Sequence, residues 1–218
     1  MLPQTKGHRM LKIQILGGPG SGKTTLGAEI GTRFGLPFYE MDVLGMKNGT
    51  KHTAWIEDAF AIIALPGWVI EGGAMIWNDP ILDHADYIVL LEVPWRTAAY
   101  RIVRRHIIKS LRGINPYPGI KSLISFLRNS RRYYLNQCRP DLVERMNRCL
   151  EEQRTLPASL DPEQLLTRCE TYGVEIIQAP TATFRRQYLE KYTQKLIVVR
   201  NNADRARLLD LLAQERVH

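Results

Sequence analysis

Short apolar runs alternate with stretches in which apolar residues recur every three or four positions, the pattern of strands alternating with helices. Residues 11–16 (LKIQIL) read as a first strand. Residues 25–34 follow as a helix with Leu26, Ile30 and Phe34 on one stripe, stopped at Gly35 with Pro37 beyond. Gly27 and Gly31 inside that helix each cost about 0.8–1 kcal/mol of propensity, a cost that close packing on a sheet would explain. A short second strand at 38–41 leads to Asp42, and residues 55–65 read as a helix with Ile56, Phe60 and Ile63 on one face. The third strand, 68–70, ends in Glu71-Gly72-Gly73. The fourth, 87–93, is nearly continuous in apolar residues, as a strand covered on both faces should be. Pro94 opens a long helix to about Arg112, with Gly113 as its stop. This order predicts an α/β fold with a doubly wound parallel sheet.

The link between the first strand and helix carries the most specific chemistry. Gly17, Gly18, Pro19, Gly20, Ser21, Gly22, Lys23 and Thr24 fill the pattern G-x-x-x-x-G-K-[ST], followed by Thr25. The glycines let the backbone curl so that successive N–H groups face a phosphate, and the helix start adds unpaired N–H groups and the positive end of its dipole. Lys23 reaches the β- and γ-phosphates as a point charge, and the Thr24 hydroxyl suits a Mg²⁺ ion. The motif together with its strand–loop–helix setting predicts a P-loop NTPase fold that binds the phosphates of a nucleotide with Mg²⁺.

Composition bounds the rest. A chain of 218 residues, 44% of them hydrophobic, is long enough for one substantial core with an appended lobe. No apolar run approaches the roughly 20 residues that span a bilayer, so no membrane partner is expected. Residues 1–9 read as an N-terminal extension ahead of the first strand. Cys138, Cys149 and Cys169 are odd in number and fit neither a zinc site nor a disulfide framework, which predicts reduced thiols and a cytoplasmic setting.

Residues 17–26, 39–42, 67–72, 85–94 and 101–105 resemble the adenylate-kinase-like P-loop kinases, and among these the bacterial group called topology modulation proteins. The resemblance covers residues 10–108 and resumes at 195–200 with the helix 203–213. It implies a five-stranded parallel sheet, a core at 10–108 and 193–218, and a mostly helical lid lobe inserted at 109–192. Residues 174–177 are also strand-like, but 195–200 matches the family's last strand better.

The resemblance further implies a kinase that moves the γ-phosphate of MgATP to a small acceptor bearing a hydroxyl or an anion. Asp42, after the second strand, is then the acid facing the acceptor, able to act as general base or to hold a metal-bound water. Glu71, after the third strand, is the candidate acid beside Mg²⁺. Adenylate kinases show Asp-Gly-Phe-Pro-Arg at that place, whereas this chain has Glu71-Gly72-Gly73-Ala74-Met75, which argues against AMP as the acceptor. Arg101, Arg104 and Arg105 share one side of the long helix at spacings i, i+3 and i+4; in the family such arginines close over the phosphates. Arg101 and Arg105 are the stronger catalytic candidates. Lys47, Lys51 and His52 are further candidates for an anionic acceptor, and Asn201 and Asn202 for the base or for helix capping. Glu92 reads as structural.

Charge is unevenly spread. Between Arg101 and Arg148 twelve Lys or Arg residues face two acids, so this segment holds more than the whole net charge of +8. Residues 120–137 read as an amphipathic helix with Ile120, Leu123, Ile124 and Leu127 inward, and further helices are expected at 141–154 and 162–172. Three readings stand for the basic lobe: an enlarged lid, a grip on nucleic acid with Tyr133 and Tyr134 available for stacking, or a nucleotide-dependent regulatory module without transfer activity.

Overall fold

The computed structural model describes residues 10–41, 52–157 and 160–215. Five parallel strands form one sheet in the order β2-β3-β1-β4-β5: β1 Lys12–Gly17, β2 Phe38–Glu40, β3 Trp68–Glu71, β4 Tyr87–Leu91 and β5 Leu196–Val199. β1 is central, pairing Ile15 with Glu71 of β3 and with Val89 of β4. The chain runs from β1 to β2 and back to β3 on one side of β1, then crosses to β4 on the other, so a crevice opens at the carboxyl end of β1, where ligands bind in such sheets. The phosphate loop stands there. Sheet order, loop and flanking helices together define a P-loop NTPase fold.

Alternation along each strand divides the core in two. Ile13, Ile15, Val69 and Val89 face one side, packed by α1 (Lys23–Phe34) and the last helix, α9 (Asn202–Glu215), through Leu26, Ile30, Leu208 and Leu212. Gly27 allows α1 this close approach: a Cβ there would lie 2.3 Å from Cε2 of Phe38. Gly35 ends α1 in the left-handed conformation at φ 58°, its N–H returned to the Gly31 carbonyl.

Leu16, Ile70, Ile88 and Leu90 face the other side. There α2 (His52–Ile63), α3 (Asp79–His84), α6 (Pro140–Thr155), α7 (Pro162–Ile177) and α8 (Ala182–Tyr188) share one apolar cluster with the sheet. Residues 140–192, expected as part of an inserted lobe, therefore contribute Leu150, Leu165, Phe184 and Leu189 to the main core. Residues 174–177 lie in α7, which kinks at Gly173, and β5 completes the sheet beside β4. The short helix α3 had no clear signal in the sequence. It carries Asp79 into a buried network with Arg168 (2.9 Å) and the Tyr188 hydroxyl (2.8 Å), while Arg168 also reaches Glu152 (2.8 Å). Burial pushes the Asp79 carboxyl up to about 6, opposed by the Arg168 guanidinium and the Tyr188 hydroxyl.

Among the described residues, the hairpin of α4 (Trp95–Leu111) and α5 (Ile120–Tyr134) stands away from this core. Here the inward packing expected of α5 is corrected. Ile120 and Ile124 are exposed, Leu123 and Leu127 are half-buried, and Ser130 is the buried residue of the helix. Among the described residues the helix packs chiefly on α4.

Candidate active site

Gly22 takes φ 103° at the head of α1, a left-handed conformation that glycine tolerates, and so turns the loop into the helix. Three side chains from distant elements hold the loop's carbonyls from outside. Arg101 of α4 donates to the Ser21 carbonyl at 2.8 Å, the Tyr134 hydroxyl of α5 donates to the Pro19 carbonyl at 2.9 Å, and Arg185 of α8 donates to the Gly17 carbonyl. Fixing these carbonyls holds the loop in shape for a phosphate, and within it the Ser21 N–H donates to the Gly18 carbonyl at 3.2 Å. Tyr133 and Tyr134 pack edge to face at 5.2 Å and press on Gly18, where a Cβ would lie 2.5 Å from Tyr133 Cε1. The Arg185 guanidinium lies 5.4 Å from the centre of the Tyr133 ring. The two tyrosines considered for base stacking are thus half-buried against the phosphate loop.

At the first turn of α1 the Thr24 hydroxyl donates to Oε1 of Glu71 at 2.9 Å. Glu71 is buried at the end of β3, and the pairing of β1 with β3 is what sets it opposite the loop. A hydroxyl and a carboxylate side by side are hard oxygen donors of the kind Mg²⁺ takes when phosphates and waters complete its shell. The donor set fits the ion. Gln14, buried in the centre of the sheet, donates to the Gly72 carbonyl at 2.7 Å and fixes the turn after Glu71.

An open cavity of about 1010 Å³ extends from the loop. The first turn of α1 forms one wall, Arg101, Arg104, Arg105, Lys109 and Arg112 of α4 and its following turn a second, and Arg200, Asn201, Asn202 and Arg205 a third. Glu40 at the end of β2 also lines it. The three arginines expected on one side of α4 do converge on one space, and Lys109 extends their row. Asn201 accepts the Asp204 N–H at 2.9 Å, so it caps the start of α9 while facing the cavity. Glu92 pairs with Arg186 (3.2 Å) and Arg200 (3.1 Å), which ties the end of β4 to β5 and α8. Asp42, Lys47 and Lys51 lie outside the described residues. His52 begins α2, its ring 5.8 Å from Trp55, which in turn stands 5.4 Å from Trp77.

Sequence reasoning missed Arg185, Glu40 and the role of Tyr134. Nothing local marks Arg185, which is 168 positions from its partner Gly17. The three cysteines are free; burial pushes the thiols of Cys149 and Cys169 up to about 12, so they stay protonated at neutral pH.

No family model matches the chain, and no curated protein matches it. Among solved structures, a shikimate kinase from Acinetobacter baumannii is similar at 16% identity and a TM-score of 0.48, covering 99% of this chain and 100% of its own. A gluconokinase from Sinorhizobium meliloti is similar at 19% identity and a TM-score of 0.40, covering 86% of this chain and 98% of its own. A sugar kinase from Janibacter is similar at 17% identity and a TM-score of 0.36, with 79% and 99% covered.

Proposed function

We propose that this protein is an ATP-dependent phosphotransferase that moves the γ-phosphate of MgATP to a small hydroxyl-bearing or anionic acceptor. One observation carries the reading: the Thr24–Glu71 pair stands at the mouth of a phosphate loop whose cavity is walled by the α4 row of cations. Phosphoryl transfer asks little covalent work of a protein; it needs positioning, and positive charge around the migrating group. Lys23 and the N–H groups of the loop hold the β- and γ-phosphates, while Arg101 and Arg105 face the same space from the opposite wall. The acceptor oxygen attacks the γ-phosphorus, the bond from that phosphorus to the β–γ bridging oxygen breaks, and ADP leaves. Asp42 takes the acceptor's proton, a role assigned from its place after β2. Thr24, with Glu71 beside it, would hold Mg²⁺, and the ion would supply positive charge to the phosphate oxygens. The sequence resemblance to adenylate-kinase-like enzymes supports the same chemistry, and the Glu71-Gly72-Gly73 turn speaks against AMP as the acceptor.

The test is transfer of labelled γ-phosphate with nucleosides, nucleotides, sugars and polyol acids as acceptors. Wild-type protein should label at least one of them, and Lys23→Ala should abolish labelling while its circular dichroism stays unchanged. Equal turnover in the Lys23→Ala variant would overturn the assignment. Tight ATP binding with no transfer across the whole panel would favour the regulatory reading instead.

A further inference from the structure

We propose that the turn end of the α4–α5 hairpin docks on an anionic phospholipid surface, a role beyond phosphoryl transfer. Leu111 is 83% exposed, Ile114 62%, Tyr117 64% and Ile120 72%, all within the ten residues that form the turn. Ile107 and Ile124, each half exposed, extend the patch one helical turn into either arm. Exposed apolar side chains this numerous at one end of the hairpin mark an interaction surface. Of the four in the turn, Ile114 also lines the nucleotide cavity, whereas Leu111, Tyr117 and Ile120 do not.

Charge selects the partner. From Glu92 to Asp141 the sequence has eleven Lys or Arg residues and no acid between them. Lys109, Arg112, Lys121 and Arg128 flank the apolar patch. Between the two helices an open groove of about 830 Å³ reaches the same turn, lined by Arg105, His106, Lys109 and Lys121 above Phe126 and Tyr117. Basic groups around exposed aliphatic ones match a surface with anionic headgroups over hydrocarbon. A phosphate of that headgroup layer suits the groove. A nucleic-acid backbone would satisfy the cations but leave four aliphatic or aromatic side chains in water. A second copy of this chain, docked through the same patch, would bring two acid-free faces together. The expectation of no membrane partner rested on spanning segments alone: no helix among the described residues is long and apolar enough to cross a membrane, and docking at the surface requires none.

Cosedimentation of the full chain with vesicles tests this, using phosphatidylcholine alone or with about one-third phosphatidylglycerol. Binding should appear with the anionic vesicles only and weaken as salt rises from about 0.1 M to about 0.5 M. Replacing Leu111 and Ile120 together with Ser should lower the partition coefficient about tenfold or more, with the melting curve and vesicle-free ATP turnover unchanged. Lys121→Glu with Arg128→Glu should lower it by a similar factor and give a second, independent reading. Absence of binding to anionic vesicles overturns the proposal. So does preference for a duplex oligonucleotide that the serine variant still shows, or a wild-type dimer that the serine variant dissolves without any vesicle binding.

Discussion

Arg185 offers the sharpest test of how the distant helices prepare the phosphate loop. Its guanidinium is buried, donates to the Gly17 carbonyl and lies 5.4 Å from the Tyr133 ring centre. Arg185→Met keeps most of the side-chain length and removes both interactions. A hydrogen bond to a charged group contributes about 1.5–3 kcal/mol, and a desolvated cation–π contact about 1–2 kcal/mol more. If these forces orient the loop, roughly half of their sum should appear in nucleotide binding and the remainder in stability. About 1.4 kcal/mol is tenfold in affinity, so the variant should bind MgATP about tenfold to a hundredfold more weakly. Titration calorimetry reads the affinity, and a melt without nucleotide reads the stability. A folded variant whose Kd stays within about twofold of wild type would refute the reasoning, because the loop would then hold its shape without the arginine.

Three further outcomes follow from the same geometry. Thr24→Val removes the hydroxyl beside Glu71 and should raise the Mg²⁺ concentration needed for half-maximal turnover by about tenfold; an unchanged Mg²⁺ dependence would remove Thr24 from the metal's neighbourhood. Gly27→Ala gains helix propensity of up to about 1 kcal/mol but forces Phe38 to move, so a net loss of about 1–2 kcal/mol is expected, read as a lower Tm and relieved by Phe38→Leu; a stabilised Gly27→Ala would contradict the packing. Because the Asp79 carboxyl is raised from 3.8 to about 6 in the fold, its contribution to stability is complete below pH 3.8 and is lost as pH rises through about 6. That amounts to about 3 kcal/mol across the window, so Asp79→Asn should flatten the stability profile between about pH 4 and pH 6, and parallel profiles would show that Asp79 does not titrate there.

The sequence by itself determined the elements whose signals are local. Each strand is short enough for its apolar run to declare it, and the phosphate loop is legible because glycine spacing, Lys23 and Thr24 form one contiguous word. The choice of residues 195–200 over 174–177 for the last strand agrees with the pairing of β5 and β4. Tertiary structure decided the rest. Glu71 meets Thr24 only because β3 lies beside β1 in a fixed register, and Arg185 reaches Gly17 across most of the chain. The helical segment after the hairpin reads as amphipathic in any setting, yet whether a stripe faces a core or water depends on what else covers it. Residues 140–192 found the sheet, whereas Ile120 and Ile124 found none. Periodicity records which side of a helix is apolar, but burial is a property of two surfaces, and the second belongs to residues far away in the chain.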